Sequence, residues 1–215
     1  SFLCNKSIVN TLLASGAEVN VRNRTGDTPL VLALQKGHER IASILLTKGA
    51  DVSVKNKDGE TTLMLTLQKG LTRMANSFLA KGAEVNVRDK HGNSALIIAS
   101  QRNQTHIIKD LLVKGAKVNT KNKDGDTALL LAAKNGYTVI VNTLLANEAE
   151  VNTRNKNHET PLVVASEKGH TEIVKDLLAK GANINATGRV KVETSMLFDK
   201  LHEISTKIVN GLSKK

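Results

Sequence analysis

The chain of 215 residues has no tryptophan, one cysteine and two prolines, and its aromatics stop at Phe2, Phe78, Phe198 and Tyr137. A lone Cys4 excludes an intramolecular disulfide framework and a cysteine-built zinc site, and it suits a reducing compartment. No His and Asn setting for a nucleophile accompanies it, so Cys4 reads as structural. No stretch approaches the roughly 20 apolar residues of a membrane span. The N-terminus lacks the basic start and apolar run of a signal peptide. These absences predict a soluble, cytoplasmic or nuclear protein without membrane insertion. Sequons at Asn5, Asn103 and Asn185 read as chance triplets in an Asn-rich chain. What is abundant is Leu, Ile, Val and Ala, within a hydrophobic fraction of 40%, which is material for helix packing and for a buried core. The net charge of +11 raises the question of an acidic partner.

A fixed period organises the chain. Gly26, Gly59, Gly92 and Gly125 fall 33 residues apart, and His158 takes the next place. In the same register stand DTPL from Asp27, ETTL from Glu60, NSAL from Asn93, DTAL from Asp126 and ETPL from Glu159. Later in each unit come LLTKGADV from Leu45, FLAKGAEV from Phe78, LLVKGAKV from Leu111, LLANEAEV from Leu144 and LLAKGANI from Leu177. In the unit from Asn122, Thr127 is an N-cap residue and Gly136 a helix stop. Ile140, Val141, Leu144 and Leu145 then form the apolar stripe of a second helix. Pro29 and Pro161 fit the first helical turn, where the missing N–H costs nothing. Gly49, Gly82, Gly115 and Gly181 fit left-handed helix ends, and Glu148 in that column costs about 1 kcal/mol if the geometry is kept. So small a helix pair cannot bury its own stripe, so the units must stack and share a core.

On these residues the chain resembles the ankyrin repeat family. The resemblance implies an all-α solenoid of stacked helix-turn-helix units with projecting β-hairpin-like loops. Full units are expected over 23–55, 56–88, 89–121, 122–154 and 155–187, after a partial repeat over 1–22 and before a degenerate helical cap over 188–215. The half unit at the start reads as part of a longer array, since terminal units normally carry a polar outer face. Leu197, Leu201, Ile204, Ile208 and Leu212 keep helical spacing in the cap. A separate partner-binding helix is the other reading of that segment.

Catalysis finds no footing. The chain has no phosphate loop, zincin motif, nucleophile elbow or dinucleotide fingerprint. His38 and His170 occupy the family's Gly-His place, where the imidazole packs and bonds to nearby backbone. His91, His106, His158 and His202 are scattered without metal-like pairing. The expectation is a non-enzymatic protein with no cofactor. The family's His after Thr-Pro-Leu is replaced by Val31, Met64, Ile97, Leu130 and Val163, which predicts loops held more by apolar contact.

Two cation columns flank the loop tips: Arg22, Lys55, Arg88, Lys121 and Arg154, then Arg24, Lys57, Lys90, Lys123 and Lys156. The resemblance places them beside the concave side, with Lys36, Lys69, Arg102 and Lys168 late in the first helices. Between the columns the family's usual Asp is replaced by Asn23, Asn56, Asn122 and Asn155, and Asp89 alone keeps the acid. Asn preserves the turn-forming hydrogen bond and drops a carboxylate. Seven loop acids still oppose ten loop cations, and with the helix cations and Glu167 the face carries about +6. With a Debye length of about 8 Å, such a field guides an acidic partner rather than holding it alone. The leading reading is a monomeric scaffold that binds another protein, through an acidic surface or segment, on these fourteen cations. The alternatives are a polyanion binder, for phosphoinositide, nucleotide or nucleic acid, and a passive spacer in a longer protein. The scarcity of aromatics disfavours nucleic acid.

Overall fold

The computed structural model describes residues 6–185. Two compact units divide the chain, Ser1–Lys117 and Val118–Lys215. Unit 1 contains α1 (Lys6–Ala14), α2 (Pro29–Gln35), α3 (Glu39–Thr47), α4 (Thr62–Gln68), α5 (Thr72–Ala80), α6 (Ala95–Gln101) and α7 (Thr105–Val113). Unit 2 contains α8 (Ala128–Lys134), α9 (Thr138–Ala146), α10 (Pro161–Glu167) and α11 (Thr171–Ala179). The fold is all-α. Among the described residues the sole bridge is an antiparallel one between Lys55 and Thr61. The expected cap over 188–215, like Cys4, lies outside the described residues.

Each pair opens in the same way. Thr28, Thr61, Ser94, Thr127 and Thr160 stand in extended backbone before a seven-residue helix. Each hydroxyl accepts from the N–H three residues on, at 3.2 Å for Met64 and Leu130, which satisfies a donor that the first turn leaves open. Pro29 and Pro161 occupy the first turn as expected. Gly49, Gly82, Gly115 and Gly181 have φ of 81 to 85°, and Glu148 keeps the same left-handed geometry at 63°.

The two helices of a pair bury different shares of their surface. Six of the seven residues in α4, α6 and α8 are buried, so these helices are apolar all round and lie inside the stack. The second helices bury a single stripe, Ile107, Ile108 and Leu111 in α7 and Ile173, Val174 and Leu177 in α11. In unit 1, α4 packs between α2 and α6, α3 packs on α1, and α5 packs on α7; in unit 2, α8 packs on α10 and α9 on α11. The exception is α1, which buries no residue. Its Ile8 and Leu12 are 56% and 55% exposed, whereas Ile41 and Leu45, at the same places in α3, are 9% and 3% exposed.

Candidate partner-binding face

The hairpins carry the cation columns, and their turns are built from one residue. Asn23 Oδ1 accepts from the N–H groups of Thr25 and Asp27 at 2.9 Å each. Asn56, Asp89, Asn122 and Asn155 do the same for the residues two and four places on. The backbone closes each hairpin with a second pair of bonds, such as Asn56 N–H to the Glu60 carbonyl and Gly59 N–H to the Asn56 carbonyl, both 3.0 Å. In three hairpins this central residue is buried, with Asn56, Asp89 and Asn155 6%, 8% and 8% exposed, whereas Asn122 is half-buried and Asn23 exposed. The flanking cations point out. All fourteen side chains anticipated as the binding set are exposed. The cation–Asn–cation motif is therefore a turn anchor between two displayed charges.

The loop acids that remain beside an Asn anchor are partly bonded to it. Asn56 Nδ2 donates to Glu60 at 2.6 Å, and Asn155 Nδ2 donates to Glu159 at 2.7 Å and to Asp126 at 2.8 Å. At Asp89 the roles are exchanged, with Asn93 Nδ2 donating to Asp89 at 3.1 Å. Asp27 and Asp126 stand four residues after Asn23 and Asn122. Each hairpin thus keeps one carboxylate in its anchor pair, at the first place or the fifth.

Some cations also hold the hairpins together. Arg22 Nη1 donates to the Gly26 carbonyl at 2.9 Å, and Arg88 Nε to that of Gly92 at 3.1 Å. Lys90 Nζ lies 3.0 Å from Asp58 Oδ1. That bond holds the Asp58 carboxyl below the usual carboxylate range. Lys36, Lys69, Arg102 and Lys168 are the C-cap residues of α2, α4, α6 and α10, where a cation also favours the helix end. Lys134, missed in the sequence reading, is exposed at the end of α8, one place before Asn135 in that column. Its signal was a cation shifted by one register position. Burial, then the nearby Glu159 charge, pushes the Glu167 carboxyl upward, against the opposing pull of Lys168 and Lys134.

Backbone hydrogen bonds tie neighbouring hairpins. Lys90 N–H donates to the Asp58 carbonyl in unit 1, and Lys156 N–H to the Asp124 carbonyl in unit 2, both at 2.8 Å. At the Gly-His place, His170 packs its ring on Gly136 and brings Nε2 to 3.4 Å from the Lys134 carbonyl. Gln104 plays that part in unit 1, donating to the Leu67 carbonyl at 2.7 Å.

Among the described residues, no group of three or more His, Cys, Asp or Glu could hold a metal ion. No helix there is long and apolar enough to cross a membrane. No curated protein matches the chain. The family described as "Ankyrin repeats (3 copies)" matches residues 2–89 and 96–188. Because these two stretches take in almost every helix and hairpin just described, the chain belongs to the ankyrin repeat family.

Proposed function

We propose that this chain is a non-enzymatic scaffold that grips an acidic surface or segment of a partner protein on its hairpin and first-helix cations. Ankyrin repeats are generally protein–protein interaction modules, and what such a fold binds is set by the residues that its surface displays. The observation that carries the reading is the division of labour inside each hairpin. In each hairpin the central Asn or Asp accepts from the turn's N–H groups, while both flanking cations are exposed. Anchored turns present charge at little entropic cost on binding.

The test reverses cations that hold no hairpin together. A variant carrying Arg24→Glu, Lys57→Glu, Lys123→Glu and Lys156→Glu is compared with one carrying Lys48→Glu, Lys81→Glu, Lys114→Glu and Lys180→Glu at the C-caps of the second helices. Both change the net charge equally, so binding of a labelled oligoglutamate peptide reports the face and not the total. The hairpin variant is expected to weaken binding roughly tenfold or more at physiological salt, with melting temperatures used to correct for stability. If the second-helix variant loses the peptide and the hairpin variant keeps it, the proposed face is wrong.

A further inference from the structure

The positive charge is not shared evenly along the chain. Residues 1–117 hold 17 Lys and Arg against 9 Asp and Glu, a net +8, whereas residues 118–185 hold 8 of each and are neutral, and the remaining +3 lies in residues 186–215. The acids on the hairpin side of unit 1 are also committed internally. Asp27 and Asp89 are 6% and 8% exposed. Glu60 accepts from Asn56 and Gln68, both at 2.6 Å, and Asp58 is paired with Lys90. Ahead of the C-cap cations Lys36, Lys69 and Arg102 stand the neutral Gln35, Gln68 and Gln101. In unit 2 the matching place before Lys168 is Glu167, close enough for the two charges to interact.

We propose that unit 1 alone provides the affinity for the acidic partner, through Arg24, Lys36, Lys55, Lys57, Lys69 and Arg102, and that the ligand is an acidic polypeptide segment. This rests on the binding face proposed above and narrows it to one unit. These six side chains are exposed and make no hydrogen bond or ion pair within the described residues. A polypeptide fits better than a nucleic acid because the single aromatic among the described residues of unit 1, Phe78, is 0% exposed. Base stacking, which carries single-strand binding, has no platform there.

The test uses the full chain and a labelled oligoglutamate peptide, read by fluorescence anisotropy at low and physiological salt. One variant carries Lys57→Glu, Lys69→Glu and Arg102→Glu; the other carries Lys123→Glu, Lys156→Glu and Lys168→Glu. Net charge changes equally in both, so any difference between them is one of place. The unit 1 variant is expected to bind about tenfold or more weakly, and the unit 2 variant to lose no more than about threefold. Circular dichroism and melting confirm that both are folded. Equal losses overturn the assignment to unit 1 while leaving the acidic-partner reading intact, and a loss confined to the unit 2 variant overturns it outright. Absence of oligoglutamate binding by the unmodified chain at either salt defeats the binding-face reading itself. Tighter binding of an oligothymidylate than of oligoglutamate overturns the polypeptide class.

Discussion

At the scale of single residues, left-handed positions decide where the chain tolerates change. Gly125 has φ of 83°, and a Cβ there would lie 3.0 Å from Asn155 Cα and 3.1 Å from Lys156 N in the next hairpin of the same unit. Gly26 has a similar φ of 82°, but a Cβ there would meet nothing within 4 Å. Gly26→Ala should therefore cost about 1 kcal/mol for its backbone conformation, and Gly125→Ala more, because backbone must also move. Glu148 already bears the side chain that its column avoids, so Glu148→Gly should gain up to about 1 kcal/mol. Urea unfolding of the three variants checks the order. A Gly125→Ala loss no larger than that of Gly26→Ala would mean that the hairpins separate at little cost.

At the scale of elements, the loops after the second helices are joined across repeats by asparagine. In unit 1, Asn86 Nδ2 donates to the Gly115 carbonyl at 2.9 Å while its Oδ1 accepts from Lys117 N–H at 2.8 Å. Asn20 does the same to Gly49 and Asp51, and in unit 2 Asn119 does it to Glu148 and Glu150, and Asn152 to Gly181 and Asn183. The corresponding residue in the first full repeat is Ser53, whose hydroxyl turns back to Asp51 at 2.7 Å. Ser is too short to reach the neighbouring loop, so this junction lacks the paired bonds that its neighbour has. Ser53→Asn should raise stability by about 0.5–1.5 kcal/mol, the usual net worth of a hydrogen bond, and Asn86→Ala should lower it by at least as much. Chemical denaturation measures both. A neutral Ser53→Asn would show that the loop at Gly82 lies out of reach.

At the scale of the whole molecule, stability in a stacked array comes from intrinsic repeat terms and nearest-neighbour interfaces. In unit 1, α1 buries no residue, while α4 and α6 each bury six. Amide exchange should accordingly be fastest over α1 and slowest over α4 and α6, as read by peptide-resolved mass spectrometry. Uniform protection through unit 1 would contradict a nearest-neighbour account. The uneven charge belongs to this scale as well, since the proposed attraction for an acidic partner draws on the +8 of residues 1–117 and should weaken as salt rises.

The sequence by itself determined the repeat, the capping hydroxyls from Thr28 to Thr160, the left-handed column with Glu148 in it, and the turn role of Asn23, Asn56, Asp89, Asn122 and Asn155. These are local features with a fixed period, and short-range chemistry is enough to specify them. The exposure of the cation columns was also legible, because residues on either side of a tight turn anchor leave the core together. Only the tertiary structure decided which cations are engaged: Lys90 is paired with Asp58, 32 positions away, and Arg22 and Arg88 are folded back on their own hairpins. The asparagine clamps likewise join residues 29 and 31 positions apart. Such bonds depend on how closely one repeat settles on the next, and that distance is set by the packing of the buried helices rather than by any pattern within a single repeat.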